Sequence, residues 1–337
     1  MNQKRWVSPT LLGVCHFLVD FVCAVALFGN TPASLAGLCF ILYNGLAFAF
    51  QLPLGALADC FDLRRSASIA GCVLVALGAL LPHSVALAAV IGLGNALFHI
   101  GGGREVLIFG GNKFAAVGRF VAPGALGIFL GPKVAMYSVV GYIGAALLIA
   151  LSVLLYFIPK MRAAEVSPAA APAKYKLIAA ACFFLTVLLR SYMGTALGYG
   201  FGSWLAFAFT FCVFAGKFFG GSLADRFGAL KLTSTAQPLG VVLFVLSVWQ
   251  PVLALPAIFI FNTTMAITAA RLSQLFPKLK GTMFGLTTFA LFAGVLPKLL
   301  GAANPFFTPW GLGGISSISA LLLILGLWAA ERKSERD

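Results

Sequence analysis

The sequence predicts an all-α membrane protein: twelve transmembrane helices arranged as two pseudo-symmetric six-helix halves. Three observations carry this. The chain has 337 residues, 61% apolar and only 9% charged, with a mean hydropathy of +1.01. A water-soluble domain carries about 25% charged residues, so the apolar surface here asks for a bilayer as its solvent. Apolar runs of membrane-spanning length recur along the chain, separated by short polar breaks. Finally, "GALADCFDLRR" (Gly55–Arg65) and "GGSLADRFGALK" (Gly220–Lys231) repeat one another at a distance close to half the chain, Asp225 lying 225 − 59 = 166 positions after Asp59.

A helix crossing the hydrocarbon core needs roughly 20 residues. The first six spans fall near 9–28, 34–57, 66–82, 85–108, 114–131 and 134–158. The second six fall near 176–197, 201–223, 232–249, 252–271, 281–300 and 311–330. Breaks such as "GNTP", "PHS" and "WQP" are tight turns, which make consecutive helices antiparallel neighbours. One stretch, "MRAAEVSPAAAPAKYK", is rich in Pro and Ala without apolar periodicity and reads as a flexible connector. The expected organisation is therefore an N-terminal bundle over 1–158, a connector over 159–175 and a C-terminal bundle over 176–337.

Charge placement orients the chain. Lys4, Arg5, Arg64, Arg65, Lys113, Lys160, Arg162, Arg226, Lys231, Lys278 and Arg332 fall on one side, against little beyond Lys133 on the other. The basic side faces the cytoplasm, so both termini and the connector are expected there, in a cell membrane. The same clustering explains the net charge of +14 without nucleic acid as a partner. The first apolar run contains His16 and Asp20 and lacks a clear small-residue cleavage site, so it reads as a retained span. The seven cysteines form no CxxC pair and read as small buried hydrophobes, not as disulfides or metal ligands.

Across the two loop motifs, Gly55 matches Gly221, Leu57 matches Leu223, Ala58 matches Ala224, Asp59 matches Asp225 and Phe61 matches Phe227. The glycines permit close helix approach. Asp59 and Asp225 are placed to meet a helix N-terminus or a cation at the membrane edge. Arg64, Arg65 and Arg226 can pair with them or with anionic lipid headgroups. Such contacts make a latch that forms in one conformation and breaks in another; the plainer alternative is a loop that only sets topology.

The two motifs resemble the loop signature of the major facilitator superfamily, and with twelve spans and a central connector the resemblance covers the whole chain. The first copy departs from the pattern, with Cys60 where Arg is common and Asp62 where Gly is common. "HFLVDF" (His16–Phe21), "GNALFHIGGG" (Gly94–Gly103) and "LLRSYMGTAL" (Leu188–Leu197) further resemble the fosmidomycin-resistance-type exporters, with Ile100 in place of the usual Pro. "FVAPGALGIFLGP" (Phe120–Pro132) is similar to the Gly/Pro-rich stretch of antiporters, though close packing at Gly124, Gly127 and Gly131 explains it as well. The resemblance implies the major facilitator fold, alternating access and proton-driven efflux of a small molecule, with spans 1 and 4 of each half lining the cavity.

Few ionisable residues fall well inside spans, where Asp, Lys or Arg costs about 2.5–3.5 kcal/mol or more at a helix centre. Asp20 is the one carboxylate well inside a span, and His16 lies one turn earlier on the same face. That pair suits proton loading and release near neutral pH; a purely structural hydrogen bond from Asp20 is the alternative. His99 in span 4 sits at a depth similar to His16 and is either a substrate-binding residue or a satisfied interior histidine. Arg104 and Glu105, being adjacent, point apart and need separate partners; Glu105 is a second proton candidate or half of a local ion pair. Arg190 in span 7 either pairs with Asp20 or binds an anionic substrate through its planar fork. Phe17, Tyr43, Phe98, Tyr192, Trp204, Phe207 and Phe211 are aromatic candidates for lining a substrate pocket, Phe17 and Tyr192 being taken as substrate-binding.

No phosphate-binding loop and no nucleophile elbow occurs, so ATP hydrolysis and covalent catalysis are not expected and no cofactor is called for. The favoured function is proton-coupled export, as an antiporter, of a small anionic or amphipathic organic molecule by a monomer. A divalent transition-metal transporter using His16, Asp20 and His99 is the alternative, and a membrane receptor or scaffold without transport is a third. Expected partners are the substrate, protons and lipid.

Overall fold

The computed structural model describes residues 7–29, 31, 33–61, 63–82, 84–111, 113–158, 171–197, 199–303 and 305–332. Lys4, Arg5, Asp62, Lys160, Arg162, Lys333, Arg336 and most of the expected connector (159–170) lie outside these residues.

Twelve membrane helices follow in chain order: α1 (Val7–Gly29), α2 (Ala36–Phe61), α3 (Arg65–Gly78), α4 (Val85–Gly110), α5 (Ala115–Val134), α6 (Ser138–Phe157), α7 (Ala173–Ala196), α8 (Ser203–Phe227), α9 (Ala229–Leu246), α10 (Pro251–Leu275), α11 (Lys280–Leu299) and α12 (Pro309–Glu331). Eleven are long and apolar enough to cross a membrane; α3, with 14 residues, is shorter. All regular structure among the described residues is helical, because backbone donors and acceptors in hydrocarbon must be satisfied within the segment.

Two helices depart from regularity, each for a local reason. In α2 the turn over Gly45–Ala49 is widened, the Phe50 amide donating to the Gly45 carbonyl at 3.0 Å. Pro53 has no N–H to give Ala49, and two residues earlier the Gln51 side-chain amide donates to the Ala47 carbonyl at 2.5 Å. In α10 the helix breaks between Ala254–Asn262 and Met265–Leu275. At the break, Thr263 and Thr264 turn their hydroxyls back onto the carbonyls of Ile260 and Phe261, at 2.6 and 3.1 Å.

By their contacts the described helices fall into two compact units. Unit 1 holds residues up to Phe109, Arg119–Ala164 and the segment Leu279–Phe289; unit 2 holds Gly110–Gly118, Glu165–Lys278 and Ala290 onward. In unit 1, α3 packs on α6 and α1 on both α6 and α3. Between α3 and α4 the approach is backbone to backbone: a Cβ on Gly71 or Gly101 would strike the facing helix at Phe98 or Ser68. In unit 2, α12 packs on α7 and α9, while α10 packs on α8, α9 and α7. Gly228, with φ +86°, makes the left-handed turn that starts α9.

Candidate functional site

The candidate site is built on α1 and α4 inside unit 1. The 3.6-residue period puts His16 and Asp20 one above the other on α1, and Asn95 and His99 likewise on α4. Their polar ends meet. His16 Nε2 lies 3.1 Å from Asp20 Oδ2 and 2.8 Å from His99 Nε2. His99 Nε2 is 3.8 Å from Asp20 Oδ1, and Asn95 Nδ2 donates to the same oxygen at 2.9 Å. The Tyr43 hydroxyl accepts from the same amide at 3.2 Å, just before the widened stretch of α2. His16, Asp20, Asn95 and His99 are all buried. Phe98 and Phe120 pack around the imidazoles, the ring centres of His16 and Phe120 being 5.0 Å apart.

The hydrogen-bond inventory of these groups has a chemical consequence. The Nδ1 of His16 sits 2.8 Å from the Phe120 carbonyl, and the Nδ1 of His99 sits 2.8 Å from the Asn95 carbonyl. A carbonyl oxygen only accepts, so both Nδ1 atoms carry hydrogens. Two neutral imidazoles with Nδ1–H present lone pairs at Nε2, and these two lone pairs would face each other and the Asp20 carboxylate. Three acceptors cannot share a buried site at 2.8–3.1 Å without a donor. One proton, on either imidazole or on the carboxylate, supplies the missing donor.

α5 closes the site with a residue that has no side chain. A Cβ on Gly124 would run into His16 Nε2 and Asp20 Oδ2. Gly124→Ala is therefore expected to push the pair apart, at an overpacking cost of about 1–3 kcal/mol. Gly141→Ala is the control, since its Cβ would meet only Val25 Cγ1 at 3.5 Å. Thermal unfolding of the two purified variants should show a lowered Tm for the first and a Tm near wild type for the second.

The remaining sequence candidates fall elsewhere. In unit 1, Asp59 receives the backbone N–H groups of Gly281 and Thr282 at 2.9 and 2.8 Å, the Thr282 hydroxyl at 2.9 Å and Arg104 Nε at 2.9 Å. It thus caps the first turn of α11 with a negative charge. Glu105 pairs with Arg65 at 2.5 Å, and Arg65 also donates to the Ile158 carbonyl. Arg104 and Glu105 do take separate partners. Arg64 precedes α3, and its carbonyl receives the Ser68 amide at 3.2 Å. In unit 2, Asp225 accepts from the amides of Phe114 and Ala115 at 2.9 and 3.1 Å, and Arg226 lies over the Phe227 ring. Arg190 bonds the Thr264 hydroxyl at 2.6 Å and the Met265 sulfur at 3.2 Å, with its guanidinium 5.7 Å from the Phe261 ring. Phe17 stacks on Phe21, and Tyr192 meets Phe306 edge-on.

Sequence reasoning passed over Asn95 and the Phe120 carbonyl, and it marked Tyr43 only as a pocket aromatic and Gly124 only for close packing. Asn95 was legible, being a buried-type polar residue one turn before His99; the others join the site only through the packing of α2 and α5.

No family model and no curated protein sequence matches the chain. Solved structures do match. The E. coli fucose:proton symporter FucP superposes with a TM-score of 0.70 at 13% identity, over 96% of this chain and 99% of that one. FucP in the outward conformation gives 0.68 at 15% identity over the same shares. The human organic anion transporter MFSD10 (TETRAN) gives 0.61 at 16% identity, over 98% and 99%. Identities this low speak for architecture alone, and with the membrane helices described above the chain is an all-α multi-pass membrane protein with the major facilitator fold.

Proposed function

We propose that the protein is a secondary active transporter that works by alternating access, exporting a small organic molecule in exchange for protons. Asp20, His16 and His99 are its proton site. The observation behind this is the meeting of two imidazole Nε2 atoms and a carboxylate, both imidazoles already committed to backbone carbonyls through Nδ1. Such a site gains or loses a proton at the cost of one buried hydrogen bond, which is what coupling needs. The fold agrees, and matching structures carry the titles of a proton symporter and an organic anion transporter. In this reading the monomer sits in the cell membrane with both termini in the cytoplasm. The N-terminal bundle, connector and C-terminal bundle follow 1–158, 159–175 and 176–337. Asp59 and Asp225 act as conformational latches, with Arg64, Arg65 and Arg226 at the same loops. Glu105, neutralised by Arg65, belongs to the structural ion pairs before it belongs to the proton path. Phe17 in unit 1 and Tyr192 in unit 2 are each proposed to offer apolar surface to a solute.

A divalent transition metal is the rival occupant, favoured by the convergence of all three ligand-type atoms within 4.8 Å. Distance favours the proton over it. Two nitrogens bound to one tetrahedral zinc at 2.0–2.1 Å stand roughly 3.3 Å apart, whereas the Nε2 atoms here stand 2.8 Å apart, a hydrogen-bond length.

The experiment uses purified protein in liposomes loaded with a pH-sensitive dye and challenged with a panel of organic solutes. Saturable, solute-dependent proton movement is expected, lost in the His16→Gln/His99→Gln double variant. Proton movement unaffected in the double variant removes the proton site. A zinc-dependent rise in wild-type Tm that the double variant lacks gives the site to the metal.

A further inference from the structure

The second half of the chain carries a counterpart of the proton site with the opposite charge. With the 166-residue repeat, Asp20 corresponds to Thr186 (20 + 166 = 186) and His99 to Met265 (99 + 166 = 265). Arg190 follows Thr186 by one turn on the same face of α7. It reaches the matching place on α10, where it bonds Thr264 at 2.6 Å and Met265 at 3.2 Å.

Three features of this place concern ligand binding. Arg190 is a buried cation, and its hydrogen-bond and ring partners are a hydroxyl, a thioether and a phenyl face. No acidic side chain pairs with it among the described residues. Arg190 Nε and the Thr186 hydroxyl are both buried and lack a hydrogen-bond partner among the described residues. The α10 break lies here as well: the 11-residue segment Met265–Leu275 begins at Thr264, which caps it with no side-chain hydrogen bond. Its first amides carry the positive end of a helix dipole. A buried guanidinium, an unpaired hydroxyl and a helix start all await negative charge and acceptor oxygens.

The geometry points to an oxyanion site here: Arg190, Thr186 and the Thr264–Met265 helix start bind the carboxylate or phosphonate group of the transported molecule. This rests on the transporter reading and names its substrate class as small organic anions. The planar fork of Arg190 takes two oxygens, and the helix start takes the charge. The proton site in unit 1 and the anion site in unit 2 then occupy matching helices of the two repeats, as in a duplicated fold whose copies have divided the work.

The test is ligand-dependent thermal stabilisation of purified protein in phosphatidylcholine nanodiscs, at fixed pH and without a gradient. The probes are benzoate, phenylphosphonate and neutral benzamide. Benzoate and phenylphosphonate are expected to raise Tm saturably, and benzamide is not. Arg190→Gln should weaken the anions roughly 10- to 100-fold, the range of a lost charged hydrogen bond. Thr186→Val and Thr264→Val should weaken them severalfold, and they carry the test if Arg190→Gln does not fold. Equal affinity in all variants, equal stabilisation by benzamide, or no response to either anion overturns the site. So does stabilisation that phosphatidylglycerol nanodiscs reproduce without added anion, which makes the ligand a lipid headgroup. Binding here needs no proton movement. Anion binding without solute-driven proton flux leaves this site and removes the coupling, while flux without anion binding does the reverse.

Discussion

Asp20→Asn is expected to abolish pH-driven transport while leaving exchange of solute across the membrane intact. In the proposed proton site the carboxylate faces the His16–His99 pair, His16 Nε2 lying 3.1 Å from it. Asparagine is nearly isosteric and keeps a carbonyl oxygen for the Asn95 amide, which now donates at 2.9 Å. It carries no charge, so the proposed proton between the imidazoles loses its counter-charge and proton loading is expected to fail. Accumulation driven by a pH gradient should fall to background. Counterflow in the same proteoliposomes, which needs only the solute to cross, should stay within a few-fold of wild type. Undiminished pH-driven accumulation in this variant would remove Asp20 from the proton site, leaving His99 without it or Glu105 as the next to examine.

Asp59→Ala should be the most destabilising of the loop substitutions, well beyond Asp225→Ala. Asp59 accepts four hydrogen bonds, including that of the Arg104 guanidinium, and its side chain is 5% exposed. Removing it takes the carboxylate away from a nearly buried cation, a class of change that costs about 3–5 kcal/mol. Asp225 accepts two backbone amides, the scale of an N-cap at about 0.5–2 kcal/mol. The difference is read as Tm of the two variants in the same detergent, with Asp59→Asn between them because it keeps one acceptor. If these carboxylates also latch the conformational cycle, cysteine labelling from the two sides of the membrane shifts in both variants. Equal Tm losses would mean that Arg104 is held as well by its other neighbours as by Asp59.

The amino-acid sequence by itself determined the solvent, the number of spans and the internal duplication. A chain 61% apolar and 9% charged has no alternative to the bilayer, and backbone hydrogen bonding in hydrocarbon leaves only helices for runs of that length. It also marked His16 and Asp20 as a pair, because helical periodicity alone places them together, and marked the loop aspartates through their repeat. Partners from distant segments were decided by packing. Asp59 and Asp225 could be seen to want a helix start, but which start (Gly281–Thr282 for one, Phe114–Ala115 for the other) depends on helices more than 100 residues away in sequence. Arg65 was open to Asp59 and found Glu105. Arg190 was open to Asp20 and is bonded to Thr264 beside a break in α10 that no proline at 263 or 264 announces. The two lone pairs that demand a proton were invisible too, because they follow from where the Nδ1 atoms point, and that is fixed by the carbonyls of Phe120 and Asn95. Local periodicity is written in spacing along one helix; the identity of a buried polar partner is set by which neighbouring helix offers the complementary atom at hydrogen-bond distance.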